Sequence, residues 1–123
     1  MTPDSKLIGF IPTRDADSAL SFYRDLLGLR FVSDDAFAIV LESNGNIVRL
    51  VRIEEFTPAS YTILGWQVED IESTVKELAA KGLAFQRYSF LQQSEDGIWT
   101  SPSGAKIAWF HDPDGNTLSF SQD

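Results

Sequence analysis

The chain has 123 residues, 43% of them hydrophobic and 12% aromatic, with 18 acidic against 10 basic side chains and a formal charge of −8. This composition suits one folding unit with a packed core and excludes disorder, and the acidic excess disfavours nucleic acid, whose phosphates need clustered Lys and Arg. With no cysteine, disulfides, thiolate zinc sites and a cysteine nucleophile are excluded.

Residues 1–6 lack the apolar core of a signal peptide, and no apolar run reaches membrane-spanning length. The expectation is a cytoplasmic protein without a membrane partner. After a short apolar stretch, Asp15 stands where a helix N-cap is needed, with Ala16, Leu20, Tyr23 and Leu27 at helical spacing behind it. Gly28 ends that helix. Strands are predicted near 30–33, 37–42 and 47–53, with turns at Asp34-Asp35 and Ser43-Asn44-Gly45. Residues 54–60, with Thr57-Pro58, read as a linker.

The pattern then begins again. Asp70 lies 55 residues after Asp15, and Ser73 lies 55 after Ser18. Ile71, Val75, Leu78 and Ala79 form the second apolar stripe, and Gly82-Leu83-Ala84-Phe85 answers Gly28-Leu29-Arg30-Phe31 after a one-residue slip. Further strands are predicted near 84–88, 97–101, 105–110 and 117–121, with a polar insertion over 89–96 and turns at Pro102-Ser103-Gly104 and Asp112-Pro113-Asp114-Gly115. The expected class is α+β, one domain over 1–123. Module 1 covers about 5–53, the linker about 54–60 and module 2 about 61–121. Each module is βαβββ, and neither buries its sheet alone, so the two should pair within one chain or across a dimer.

Three landmarks carry a resemblance over almost the whole chain. They are Asp15-x6-Phe22-Tyr23 with Leu27-Gly28, then Val68-Glu69-Asp70-Ile71, and finally Phe110-His111-Asp112-Pro113-Asp114-Gly115-Asn116. Together they resemble the vicinal oxygen chelate superfamily of glyoxalases, bleomycin-resistance proteins and dioxygenases. The resemblance implies two βαβββ modules forming an open, curved mixed sheet around a cavity, and a homodimer. In the superfamily's enzymes, His or Glu in each first strand and Glu in each fourth strand hold a divalent metal. Carried onto this sequence, those positions fall on Ile8, Ile63, Ser119 and either Arg49 or Ile47. Two aliphatic side chains, a permanent cation and a lone hydroxyl are a poor donor set, so no metal and no cofactor is expected.

The remaining candidates divide between structure and binding. His111 is the only histidine and lies outside those positions, so a structural or solvent-facing role is preferred to a catalytic one. Asp112 and Asp114 read as turn residues, and Asp15 and Asp70 as caps before they are acids. No phosphate-binding loop, nucleophile elbow or Ser–His–Asp order occurs. Alternation puts Ile8, Phe10, Ile63, Gly65 and Gln67 on one side of the first strands, with Trp66 and Val68 opposite. Gln67 is then a polar handle, Trp99 and Trp109 are rings able to stack on a ligand, and Arg49 is a charge seeking a carboxylate from protein or ligand. The expected ligand-binding set is Ile8, Phe10, Arg49, Ile63, Gln67, Trp99, Trp109 and Ser119. The expected function is metal-free binding of a small organic molecule, such as an antibiotic sequestered in an aromatic cavity. The alternative is an enzyme of the same superfamily with a displaced metal site or metal-free chemistry. Acidity suits a cationic ligand and Arg49 an acidic one.

Overall fold

A computed structural model describes residues 1–123. The chain separates into two compact units, Met1–Thr57 and Pro58–Asp123. The first runs β1 (Ile8–Thr13), α1 (Ala16–Leu20) continuing as a π-helical segment (Ser21–Leu26), β2 (Arg30–Asp34), β3 (Ala38–Ser43) and β4 (Asn46–Arg52). The second runs β5 (Leu64–Gln67), α2 (Ile71–Ala80), β6 (Trp99–Thr100), β7 (Lys106–His111) and β8 (Thr117–Gln122). Each unit is thus βαβββ, as the repeat predicts. Each carries one four-stranded mixed sheet, ordered β1-β4-β3-β2 and β5-β8-β7-β6. No helix is long and apolar enough to cross a membrane.

The helix starts follow from their caps. Asp15 and Asp70 are extended, with φ of −141° and −136°, and their carboxylates accept from the backbone N–H of Ser18 and Ser73. The Ser18 hydroxyl also donates to Asp15, and these bonds hold the Asp15 carboxyl below its ordinary 3.8. The β3–β4 hairpin follows from Asn44-Gly45. Both residues have positive φ, 49° and 83°, and Ser43 pairs directly with Asn46. Such a two-residue turn matches the twist of its strands, and glycine takes that backbone without strain.

In the first unit, α1 and the π-helical segment cover one side of the sheet. Ile11, Ile39, Leu41, Val48 and Leu50 are buried there with Ala19 and Tyr23. In the second unit, α2 buries Ile71, Val75 and Leu78 over a ring cluster. Phe110 stacks on Phe120 at 4.8 Å, and Trp66 and Phe85 close around both. Trp66 therefore belongs to the helix side of its sheet.

Two expectations are corrected. The first helix does not stay α-helical to Leu27: the Leu27 N–H reaches back five residues to the Phe22 carbonyl. The first copy has one more residue between cap and terminal glycine than the second, and a π turn absorbs one extra residue locally. The strand predicted over 84–88 is absent, leaving one isolated bridge, Phe85 to Phe110. The Gln93 side chain takes the place of a ladder partner. It accepts from the Tyr88 N–H at 2.7 Å and donates to the carbonyls of Gln86 and Gly97 at 2.9 and 2.8 Å. Arg87 wraps the same loop by donating to the carbonyls of Gln93, Ser94 and Glu95.

Candidate functional site

Each sheet has one side turned to its helix and one side free of it. In the first unit the register assigns residues to the free side in rows. Ile8, Ile47 and Glu42 are neighbours across β1, β4 and β3, as are Phe10, Arg49 and Val40. Phe10 is 61% exposed. The Arg49 guanidinium carbon lies 5.8 Å from the centre of its ring, within the range of cation–π attraction. Arg30 and Glu42 form an ion pair of 3.4 Å at the β2 end of this side. Arg52 is on the opposite side and bonds Asp34 and the Asp35 carbonyl.

In the second unit the corresponding rows are Gly65, Ser119 and Trp109, then Gln67, Ser121, Ile107 and Trp99, across β5, β8, β7 and β6. Ile63 precedes β5 and donates its N–H to the Thr117 carbonyl. Trp99 and Trp109 have ring centres 6.1 Å apart, and Tyr88 meets Trp109 edge-to-face at 5.5 Å. Tyr88 carries Phe90 on its other flank, at 5.6 Å. Gly65 lets Ser119 pack close, since a Cβ there would stand 3.1 Å from the Ser119 Oγ. Ser119 itself is buried. The arrangement is a wall of half-exposed rings beside a low floor of Gly65, Ser119 and Ile107.

The structure thus brings Ile8, Phe10 and Arg49 together in one unit, and Trp99, Trp109 and Ser119 together in the other. Gln67 stands apart from the rings. It lies on the far edge strand, three strand spacings (about 14 Å) from Trp99, and its amide donates to the Asp123 carboxylate at 3.1 Å. Tyr88 and Gln93 belong to this region and were missed. Tyr88 falls in a segment that reads as a strand, and nothing in the polar run 89–96 marks Gln93 as the residue that positions it.

The strand register also decides between Arg49 and Ile47. Arg49 stands opposite Phe10 and Ser119 opposite Gly65, and the 55-residue repeat relates Phe10 to Gly65. Arg49 and Ser119 are therefore equivalent. The set Ile8, Arg49, Ile63 and Ser119 does not fit a divalent metal, for want of carboxylate and imidazole donors. No three His, Asp or Glu side chains converge elsewhere. His111 is exposed at the end of β7, and Asp112 is a turn residue: its carboxylate accepts from the N–H groups of Asp114 and Asn116 and from the Asn116 amide. Two shallow polar hollows lie along the helix starts, one around Thr13, Asp15 and Glu54 and one around Asp70, Glu72 and Lys76. Two of their acids, Asp15 and Asp70, are committed to the caps.

The sheet order, the repeat and the register all describe a duplicated βαβββ protein. A sequence model of the Glyoxalase/Bleomycin resistance protein/Dioxygenase superfamily matches residues 7–120, and the chain belongs to that superfamily. Similar solved structures include a bleomycin-binding protein complexed with bleomycin, 20% identical, with a TM-score of 0.73 over 97% of this chain and 98% of that one. Lactoylglutathione lyase from Agrobacterium tumefaciens is 17% identical, with a TM-score of 0.72 over 98% and 95%. A superfamily member from Sphaerobacter thermophilus is 24% identical, with a TM-score of 0.77 over 97% of each chain. At these identities the likeness establishes the fold. No curated protein matches in sequence.

Proposed function

We propose that this protein binds and holds a small organic molecule without transforming it, using the free sides of its sheets. The Trp99–Trp109–Tyr88 wall carries the reading. Rings that serve only as core are normally covered, as Phe110 and Phe120 are by one another and by α2, whereas these are only partly covered and lie on the side of the sheet away from α2. Flat apolar walls with few polar groups are the usual furniture of small-molecule sites. Sequestration requires no reacting side chain, which suits the aliphatic and cationic residues at Ile8, Ile63 and Arg49. Bleomycin binding by a protein of the same fold makes bleomycin a reasonable first ligand to try.

The test is a titration with a panel of antibiotics and aromatic metabolites, read by tryptophan fluorescence and calorimetry. Trp99→Ala is expected to weaken a discovered ligand by about 1–3 kcal/mol, the range for losing a stacked ring at a binding site. Unchanged affinity in both Trp99→Ala and Trp109→Ala would remove the ring wall from the site. Turnover of any ligand would replace binding by catalysis.

A homodimer is part of the same reading. Leu7, Phe37 and Phe90 are each about four-fifths exposed, large apolar side chains that a partner chain could cover. Light scattering at micromolar concentration is expected to give the mass of two chains; a single-chain mass throughout the range would refute it.

A further inference from the structure

Arg49 is the one arginine with no hydrogen-bonding or ion-pairing partner. Arg24 is paired with Asp25 at 2.8 Å, Arg30 with Glu42 at 3.4 Å and Arg52 with Asp34 at 2.9 Å. Arg14 donates to the Phe56 carbonyl and stacks on its ring, and Arg87 bonds loop carbonyls. Arg49 Nε, by contrast, is sealed from solvent and has no acceptor. Asp35 does not serve it: its Oδ1 takes the N–H groups of Ala38 and Phe37, each at 2.8 Å, and the Arg49 charge reaches it only through space. Burying a charged donor unpaired is costly. The residues nearest it on β1 and β4 are apolar, Phe10 in its own row and Ile8, Ile47, Pro12 and Val51 in the rows beside it, while Glu42 in the Ile8 row is paired with Arg30.

We infer that Arg49 anchors the carboxylate of a small amphiphilic acid whose apolar or aromatic body lies against Phe10 and Ile8. This rests on the binding function proposed above and gives the ligand its chemical class. A guanidinium presents parallel N–H groups that match the two oxygens of a carboxylate in one plane. Phe10 offers the body of such a ligand an open ring face. A monoanion is favoured over a phosphate ester because only one cation is free here, and the chain's charge of −8 opposes a dianion. Arg49 is partly exposed, so the acid can reach it from the free side of the sheet.

The experiment uses the full-length protein, with 2-naphthoate as probe and 2-naphthamide, which has the same rings without the charge, as its control. Inorganic phosphate is the third arm. Calorimetry measures affinity. The Arg49 Nε–H resonance of 15N-labelled protein, assigned by its loss in Arg49→Lys, reports contact at this atom. The naphthoate is expected to move that resonance and to bind at least about tenfold more tightly than the amide, with the preference lost in Arg49→Gln. Equal affinities for acid and amide, or an unmoved Arg49 signal with naphthoate bound, overturn the inference. So does phosphate that competes at equal concentration, which would make the site a general anion site. The wild-type resonance needs no variant, so poor folding of Arg49→Gln leaves the test intact. All three tryptophans, Trp66, Trp99 and Trp109, belong to the second unit. Ligands that quench tryptophan while Arg49 stays silent would therefore overturn the carboxylate and leave the binding function standing, whereas failure of every small molecule would remove both.

Discussion

Replacing Phe110 by alanine is expected to lower the unfolding free energy by about 3–5 kcal/mol. The ring is fully buried, stacks on Phe120 and is met by Phe85 edge-to-face at 5.8 Å. Its strand neighbours across the sheet are Leu118 and, through the isolated bridge, Phe85. Leu118 and Ala108 beside it on the sheet are themselves packed at no exposure and cannot fill the space. The loss is thus apolar transfer plus an unfilled cavity. Urea denaturation followed by far-ultraviolet circular dichroism measures it, and Phe110→Leu should lose markedly less. A decrease under about 1 kcal/mol would mean that this cluster is not the core of the second unit.

Gln93→Ala should act on stability and on the candidate site together. The amide satisfies the Tyr88 N–H and the carbonyls of Gln86 and Gly97. Its removal leaves three partly buried backbone groups to find water or stay unpaired, a loss of about 1–3 kcal/mol. The loop it holds presents Tyr88 to Trp109 and Phe90 to Tyr88. A ligand that uses the ring wall should consequently bind more weakly, all the more since Gln93 also pairs with Trp99 through an isolated bridge. Gln93→Glu separates the parts: a carboxylate still accepts from Tyr88 but cannot donate to the two carbonyls. Raised amide exchange throughout 86–97 is expected in both variants, and more in alanine. Protection equal to wild type would show that the loop is held by Arg87 and its own turns instead.

Much of this architecture is legible in the residues because it depends on local chemistry. Asp15 and Asp70 mark helix starts by a bond that spans three residues, and Asn44-Gly45 marks a hairpin by what its backbone allows. Alternation sorts Phe10 from Ile11, and Gly65 from Trp66, because a strand gives its side chains only two directions. What escapes is decided by partners distant in sequence or by groups that act out of type. Gln67 reads as an unengaged polar handle, yet Asp123, 56 residues away, accepts from its amide. The stretch 84–88 has strand composition, yet a glutamine side chain supplies the bonds a strand partner would. Arg49 looks much like Arg52 in sequence. Their difference arises because they face opposite sides of β4, and Asp34 and the Asp35 carbonyl meet only Arg52.

The π-helical segment has a consequence for how two such units diverge. One additional residue in a strand would reverse every side chain beyond it, turning Phe10 or Arg49 toward the helix side. In a regular α-helix the same insertion would rotate all that follows by about 100°. Widening at Ser21–Leu26 confines the surplus to a single bulge, so Tyr23 stays buried and β2 still begins two residues beyond Gly28. Length changes can thus accumulate in the helices and loops of one copy while the pairing of β1, β3 and β4 stays in register. Two halves of common pattern are then free to acquire unlike surfaces, a guanidinium on one and a tryptophan pair on the other, without renegotiating the sheets that carry them.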